Sequence, residues 1–527
     1  MKTTFGVLIT ALVISSISLS QTPNPPFNIV GQIEDFTLNP DCLGSSPQSV
    51  LCGASMIVNG IKVTIPRNTI IVMPATYLTP HDIFQGPHPK PGGTLQMAGG
   101  KPVSGLALRD PVPFKAIAPF EASIHGNIVG TQYIAGLVNI SQQPLNATQG
   151  FITAINYTNG ELTVGQPSGP TTTVRLNDPA LSQNRPGRFG RAESFDERFT
   201  ADQANPTIRS ETGYPMCVPS VAPPAVDGRC SFNNRPADPI KRWTIGSEDA
   251  MAGLAAPAAP ACALCNVNKL VPFRIGDYIT FSGTLVRKSE NPTSPDYNKV
   301  GYVSAHTVIA SLGIYTRPNT GPAYVAFDVT IVATGGVPFP GISTELGPHA
   351  RPLPPPVSLP STRLKIEGVT TDPRRAVDIF AVDYDPSGDG TGTISERPVL
   401  ASVGPAGKPP FGRFRAVIDT SSFLPPPHEL RARVNGFTPA AINPAIANGL
   451  SIGEYTAPVQ EYLFPETNVF GQPPAPLNFE NLCFLFAGTG RLTTLGRTGG
   501  PIVGQLSPWP NSGNMTPQVA CPASFGQ

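Results

Sequence analysis

Residues Phe273 to Ala333 hold three runs, RIGDYITFSGTLVRK, YVSAHTVIASLGIYT and AYVAFDVTIVAT, in which apolar and polar side chains alternate at period two. That period puts one face of each segment on a core and the other toward water, so the runs are expected to be half-buried strands. The opening Gly-Asp-x-Ile-x-x-x-Gly-x-Leu suits the first hairpin of a small closed barrel, placed at 271–340. Looser forms of the pattern occur twice upstream. GQIEDFTL with IKVTIPRNT falls in a module expected at 27–110. GFITAINYTNGELTVG with TTTVRLND falls in one expected at 120–245. Asn59-Gly60 and Asn159-Gly160 sit between apolar runs, where both residues tolerate the positive φ of a tight hairpin. The tail of the second module, about 180–245, is irregular.

Composition agrees with many short strands. The 527 residues include 52 glycines and 63 prolines, and only 13% are charged, about half the ~25% of ordinary globular chains. Turn-rich sequence between short apolar runs favours β modules over helices. The formal charge of +1 provides no electrostatic funnel for nucleic acid or anionic lipid.

The first twenty residues read as a secretory signal. Lys2 supplies the positive end, Phe5 to Ile17 the apolar run, and Ser18-Leu19-Ser20 small residues before a cut at Gln21. The run is shorter than the ~20 residues needed to cross a bilayer, and no second long apolar run follows, so no membrane span is expected. Export fits the sequons at Asn139, Asn146, Asn156 and Asn514. It also fits an even cysteine count: Cys42, Cys52, Cys217, Cys230, Cys262, Cys265, Cys483 and Cys521, all expected to be oxidised. Close spacing suggests Cys42–Cys52 and Cys217–Cys230, and Cys483 and Cys521 are then natural partners. Cys262 and Cys265 form CALC. A Cys-x-x-Cys can be redox-active, but here neither the strand–helix setting of a redox fold nor the second pair of a zinc site accompanies it.

Prolines crowd 347–360, GPHARPLPPPVSLP, which reads as a stiff linker. Beyond it RLKIEGV, AVDIFAVDY, FGRFRAVID and ELRARVNG alternate as in a β-sandwich, placed at 361–437. Residues 438–527 lack clear periodicity, with a short helix expected in TPAAINPAIANGL. The expected fold is therefore mainly β: several small barrels, a sandwich and an irregular C-terminal segment. Taken with GEYTAPVQEYLFPE and NFENLCFLFAGTG, this layout resembles secreted proteins of filamentous fungi built from repeated barrel-like modules. The resemblance implies export and barrels of the five-stranded OB type, and it carries no catalytic residues across.

Chemistry is sparse. DPSGDGTGTISE places Asp385, Ser387, Asp389, Thr391, Thr393 and Glu396 at the ligand positions of a calcium loop, with Gly390 at its sharp turn. The same stretch suits a Gly-rich turn between two strands. Calcium is the one cofactor suggested. Gly449-Leu-Ser451-Ile-Gly453 matches a nucleophile elbow but lacks its strand–helix flanks. Gly488-Thr-Gly490 lacks the third glycine of a dinucleotide fingerprint. Asp196 and Glu197 lie in a polar stretch and are expected to be solvated, and Trp243 and Trp509 fall in loops. His306 is expected on a strand. The expectation is a non-catalytic extracellular or cell-wall protein that binds a protein or polysaccharide or serves as a structural part of that layer. The alternative is an extracellular enzyme whose site is assembled between modules. It would be marked by titratable groups gathered in one cleft, with His125, His306 or His428 meeting a carboxylate.

Overall fold

The computed structural model describes residues 26–39, 53–334 with short interruptions, 362–383, 395–404, 411–418, 429–437 and 450–463. The expected signal segment, Cys42, Cys52, Asn146, the proline run, most of the candidate calcium loop, Cys483, Asn514 and Cys521 lie outside them. The described chain is mainly β, with almost no helix. No helix among the described residues is long and apolar enough to cross a membrane.

The first sheet is built from β1 (Pro26–Leu38), β2 (Ala54–Val58), β3 (Ile61–Ile65), β4 (Glu121–Val129) and β5 (Gln132–Ser141). β1 pairs antiparallel with β2 and β4, β2 with β3, and β4 with β5. A parallel pairing of β3 with β5 then closes the ring, with Val63 opposite Tyr133. Closure leaves these five strands no open edge. Alternation sends Ile33, Met56, Val58, Val63, Ile65, Ile124 and Ile134 inward, where each is fully buried.

The second sheet repeats the plan. Its strands are β6 (Ala147–Asn156), β7 (Glu161–Gly165) and β8 (Thr171–Leu176). A long crossover then carries β9 (Ile208–Ser210), β10 (Arg242–Ile245) and β11 (Ala261–Cys262). β12 (Tyr278–Arg287) and β13 (Val300–Ala310) complete the ring, and β14 (Gly313–Thr316) follows. β6 pairs with β7 and β12, β7 with β8, and β12 with β13. A parallel β8–β13 pairing closes it, with Val174 opposite Val303.

The period-two reading of 273–333 therefore found real strands but grouped them wrongly. β12 and β13 are the last two strands of a ring begun at Ala147, not a third barrel. β4 and β5, expected in the second module, complete the first. The irregular tail is the crossover within the second ring. Pairing across such separations leaves no local trace, because alternation fixes a strand's faces and not its neighbours. Asn59 (φ 52°) and Gly60 (φ 72°) form the expected tight turn. At the second site the turn spans 157–160, and of the Asn-Gly pair only Gly160 (φ 74°) has positive φ.

The last run, β15 (Val325–Thr334), belongs to neither ring. It pairs with β16 (Thr362–Thr370), which pairs with β19 (Arg413–Ile418), and on its other side with β22 (Glu461–Leu463). A second four-stranded sheet has the order β18 (Ser395–Val403), β17 (Val377–Asp383), β20 (Glu429–Val434), β21 (Glu454–Pro458). The two sheets meet through Leu364, Ile366, Ile379, Leu430 and Ala432, all buried, and through the edge-on contact of Phe327 with Tyr455 at 5.9 Å. Thr334 lies directly opposite Thr362. The proline run thus joins two adjacent strands of one sheet, rather than linking barrels to sandwich.

Candidate functional site

The crossover of the second barrel is held by buried ion pairs. Arg235 makes a bidentate pair with Asp277, both contacts at 2.6 Å, and donates to the Pro272 carbonyl. Asp277 is the acid of the Gly-Asp motif, so its role is to fasten the crossover beside the start of β12. Arg198 does the same toward the first barrel. It donates to Asp196 at 2.7 Å and to the carbonyls of Ile83 (2.9 Å) and Ser104 (2.7 Å). Asp196, expected to be solvated, is buried. Trp243, expected in a loop, lies fully buried on β10.

With the crossover fixed, β9, β10 and β14 face the sandwich across a cleft of about 920 Å3, the upper part of the usual range for ligand sites. The barrel side contributes Arg209, Glu211, Lys241, Arg242 and Tyr315, and the sandwich side Phe327, Asp328, Arg413, Tyr455 and Gln460. Arg209 on β9 forms an ion pair with Asp328 on β15, spanning the two walls. A register shift between Phe327 and Val329 falls at Asp328, and such bulges re-aim side chains. β10 and β14 run parallel, with Thr244 opposite Tyr315. Burial raises the Tyr315 hydroxyl above its ordinary pKa, and a hydrogen bond from Arg242 acts against that rise. Lys241 reaches the Gly276 carbonyl at 2.9 Å, and Arg413 lies 3.5 Å from Glu367. The walls are joined below the cleft. Thr316 and Thr371 share a 3.0 Å hydroxyl contact, the Asn319 amide donates to Asp372 at 2.7 Å, and the Tyr324 hydroxyl donates to the Val267 carbonyl at 2.9 Å.

A smaller cavity of about 380 Å3 lies between the two barrels, lined among others by Phe114, Phe120, Leu285 and Arg287. His88 stands at it, 3.6 Å from Glu197. That hydrogen-bonding carboxylate raises the His88 pKa. His125 and His306 line neither space. His306 is on β13 as expected, buried, with Nδ1 3.0 Å from the Thr307 hydroxyl; burial pushes its pKa down to about 4. Burial lowers the His125 pKa as well. His428 lies outside the described residues.

Of the calcium set, Asp385, Ser387, Asp389, Thr391 and Thr393 lie outside the described residues. Glu396 sits on β18, opposite Val382. Its carboxylate accepts from Arg433 at 2.6 and 2.8 Å and pairs with Arg431, and the Arg433 hydrogen bond leads the lowering of its pKa. Glu454 completes the group, 2.6 Å from Arg433. Among the described residues no cluster of three or more His, Cys, Asp or Glu is placed to hold a metal. Ser451 is followed by β21, not by the helix a nucleophile elbow needs. Cys217–Cys230 is bonded as spacing suggested, and Cys262–Cys265 is bonded within CALC. Asn156 is exposed at the end of β6, whereas Asn139 is half-buried in mid-strand on β5.

None of the cleft residues stood out in the sequence. Arg242 sat in a stretch read as irregular, and Arg413 in an ordinary strand. The one available signal was Asp328, an acid interrupting the apolar run AFDVTIV. Comparison with known proteins finds no family model, curated protein or solved structure that matches the chain.

Proposed function

We propose that this is a secreted, glycosylated, non-catalytic binding protein of the cell exterior or wall. On this reading two OB-type barrels present a ligand cleft against a β-sandwich. The cleft between β9, β10 and β14 and the sandwich carries the proposal. It is large, its walls are tied together, and it mixes buried aromatic side chains with four cationic and two acidic ones. Such a lining suits an extended polar ligand, a polysaccharide or a protein segment, better than a small apolar molecule. The OB assignment is supported by the ring order, in which the first strand pairs with the second and fourth and the third pairs parallel with the fifth. OB barrels commonly bind oligosaccharides and other polymers. Calcium is the less favoured part of the reading. An ion at 385–396 would have to draw Glu396 from two guanidiniums.

The second reading is an extracellular enzyme acting in the same cleft. It is favoured by the convergence there of Glu211, Arg242, Tyr315 and Asp328. One experiment separates the two. The purified exported protein is passed over a panel of wall polysaccharides and extracellular proteins, beside an Arg242→Ala/Arg413→Ala variant. Retention of a polymer by the wild type, with at least about tenfold weaker retention of the variant and no release of new chain ends, is the expected result. Equal retention of both proteins removes the cleft from the reading. Release of chain ends by the wild type alone replaces binding with catalysis.

A further inference from the structure

We propose that Cys262–Cys265 is a thiol-exchange site, distinct from the structural bridge Cys217–Cys230. The two disulfides differ in setting. Cys217 and Cys230 are both fully buried in the main core of the second barrel. They close a sequence separation of 13, which gives the bridge something to staple. Cys262–Cys265 spans a separation of only 3 and constrains the unfolded chain less. Its turn is already closed by the backbone, since the Cys265 amide donates to the Cys262 carbonyl at 3.0 Å.

Access is asymmetric. Cys262 is partly exposed, while Cys265 is 7% exposed and packs on the core. Between them Leu264 is 94% exposed, the most exposed large apolar side chain described. With Cys262 the more exposed of the two, an incoming thiolate reaches the bond from its side, past the protruding Leu264. An incoming thiolate bonds to Cys262 Sγ. The Cys262–Cys265 bond breaks, its electron pair leaves on Cys265 Sγ, and that sulfur takes a proton from water. A second thiolate then attacks the incoming sulfur, giving an oxidised dithiol outside and two free cysteines here. In reverse, Cys265 expels the first thiol and restores the bridge.

The site also has a place in the architecture. Cys262 ends β11, which pairs with β10 at Ile245, and its carbonyl accepts from the Gly246 amide at 3.2 Å. The loop between β10 and β11 folds over Ala250, Met251 and Ala259, which pack on Tyr315. The exchangeable bond is thus one strand away from Arg242. The proposal does not depend on what the cleft binds.

The test treats the folded, full-length oxidised protein with graded reduced glutathione, quenches with an alkylating agent and maps the peptides. Cys262 and Cys265 are expected to become alkylated at least about tenfold faster than Cys217 and Cys230. Reaction of the two pairs at the same rate, or of Cys217–Cys230 first, overturns the proposal. A Cys265→Ser variant, exposed to oxidised glutathione, is expected to hold the mixed disulfide on Cys262. A folded variant that stays unmodified also overturns it. If the variant does not fold, the wild-type rates decide.

Discussion

The two barrels share one plan and differ in what they do with it. Each begins on a strand with Gly-x-Ile, Gly31 to Ile33 in one and Gly150 to Ile152 in the other, and each such strand shifts register just after that isoleucine. Each fourth strand shifts register beside a glycine, between His125 and Gly126 or between Ser282 and Gly283. A side chain at either glycine would meet backbone, the Ile134 carbonyl at 2.0 Å or the Ser304 carbonyl at 2.2 Å. The difference lies between the third and fourth strands. The first barrel crosses over through residues 66–120, whereas the second uses 177–277 and hangs both described disulfides, a buried Arg–Asp pair and one wall of the cleft on that excursion. The ring is the conserved frame within this molecule, and the crossover is where chemistry was added.

The sharpest way to break that contrast is to release the second crossover. Arg235→Ala strips the buried Asp277 carboxylate of its bidentate partner, leaving it only the Arg274 amide at 2.9 Å and Lys241 at 3.6 Å, and should cost about 3 kcal/mol. Denaturant unfolding followed at Trp243 is expected to show a lowered first transition. An unchanged midpoint would mean the crossover is held by something other than this pair.

The shared frame predicts equal sensitivity at the two bulge glycines. Gly126→Val and Gly283→Val should each destabilise by about 2–4 kcal/mol, because the nearest atom at each is a backbone carbonyl oxygen that cannot swing aside. Thermal melting of the two variants measures this. A tolerated Gly126 with an intolerant Gly283 would show that the barrels resemble each other only in outline.

Acid bears on both barrels, since burial lowers the His125 pKa in the first as well, but the large shift is that of His306 in the second. His306 is neutral in the fold, with its pKa pushed to about 4 from 6.5. The fold therefore favours the uncharged ring. Its contribution is complete above pH 6.5, falls as the pH drops through 4, and is fully lost below that, amounting to about 3 kcal/mol. His306→Gln should flatten the fall in melting temperature between pH 7 and pH 4. If the variant's profile overlays the wild type's, His306 is not what makes the second barrel acid-sensitive.

The smallest expected effect concerns the hairpins. Asn59 holds φ 52° and donates to the Val30 carbonyl at 2.9 Å. In the other turn Gly160 alone of the Asn-Gly pair needs positive φ. Asn59→Ala should cost about 1 kcal/mol and Asn159→Ala less than half of that, as read from paired melting curves.

Strands, hairpins and the internal repeat were legible because each is a local pattern. The matched segments GQIEDFTL and GFITAINY are the first strands of the two rings, and IKVTI and TTTVRL the third. The repeat in SIHGNI and TFSGTL, the two fourth strands with their glycines, was also present and would have joined β12 to the second ring. The site was nearly illegible. Arg209, Arg242, Tyr315, Asp328 and Arg413 come from five strands of two units, and nothing in their spacing reveals that those strands meet. Solvation was misjudged at Asp196 for a related reason. A charged stretch reads as surface until the chain supplies a buried partner, here its neighbour Arg198, whose guanidinium reaches the carbonyls of Ile83 and Ser104 in the first barrel.

At the proline run the chain leaves β15 at Thr334 and re-enters β16 at Thr362, directly across one ladder rung. Because the two ends already meet on one rung, the closure entropy of the connection depends only weakly on its length, each doubling adding about 0.6 kcal/mol. The sheet itself sets where the chain must return, and the number of residues spent on the way matters little.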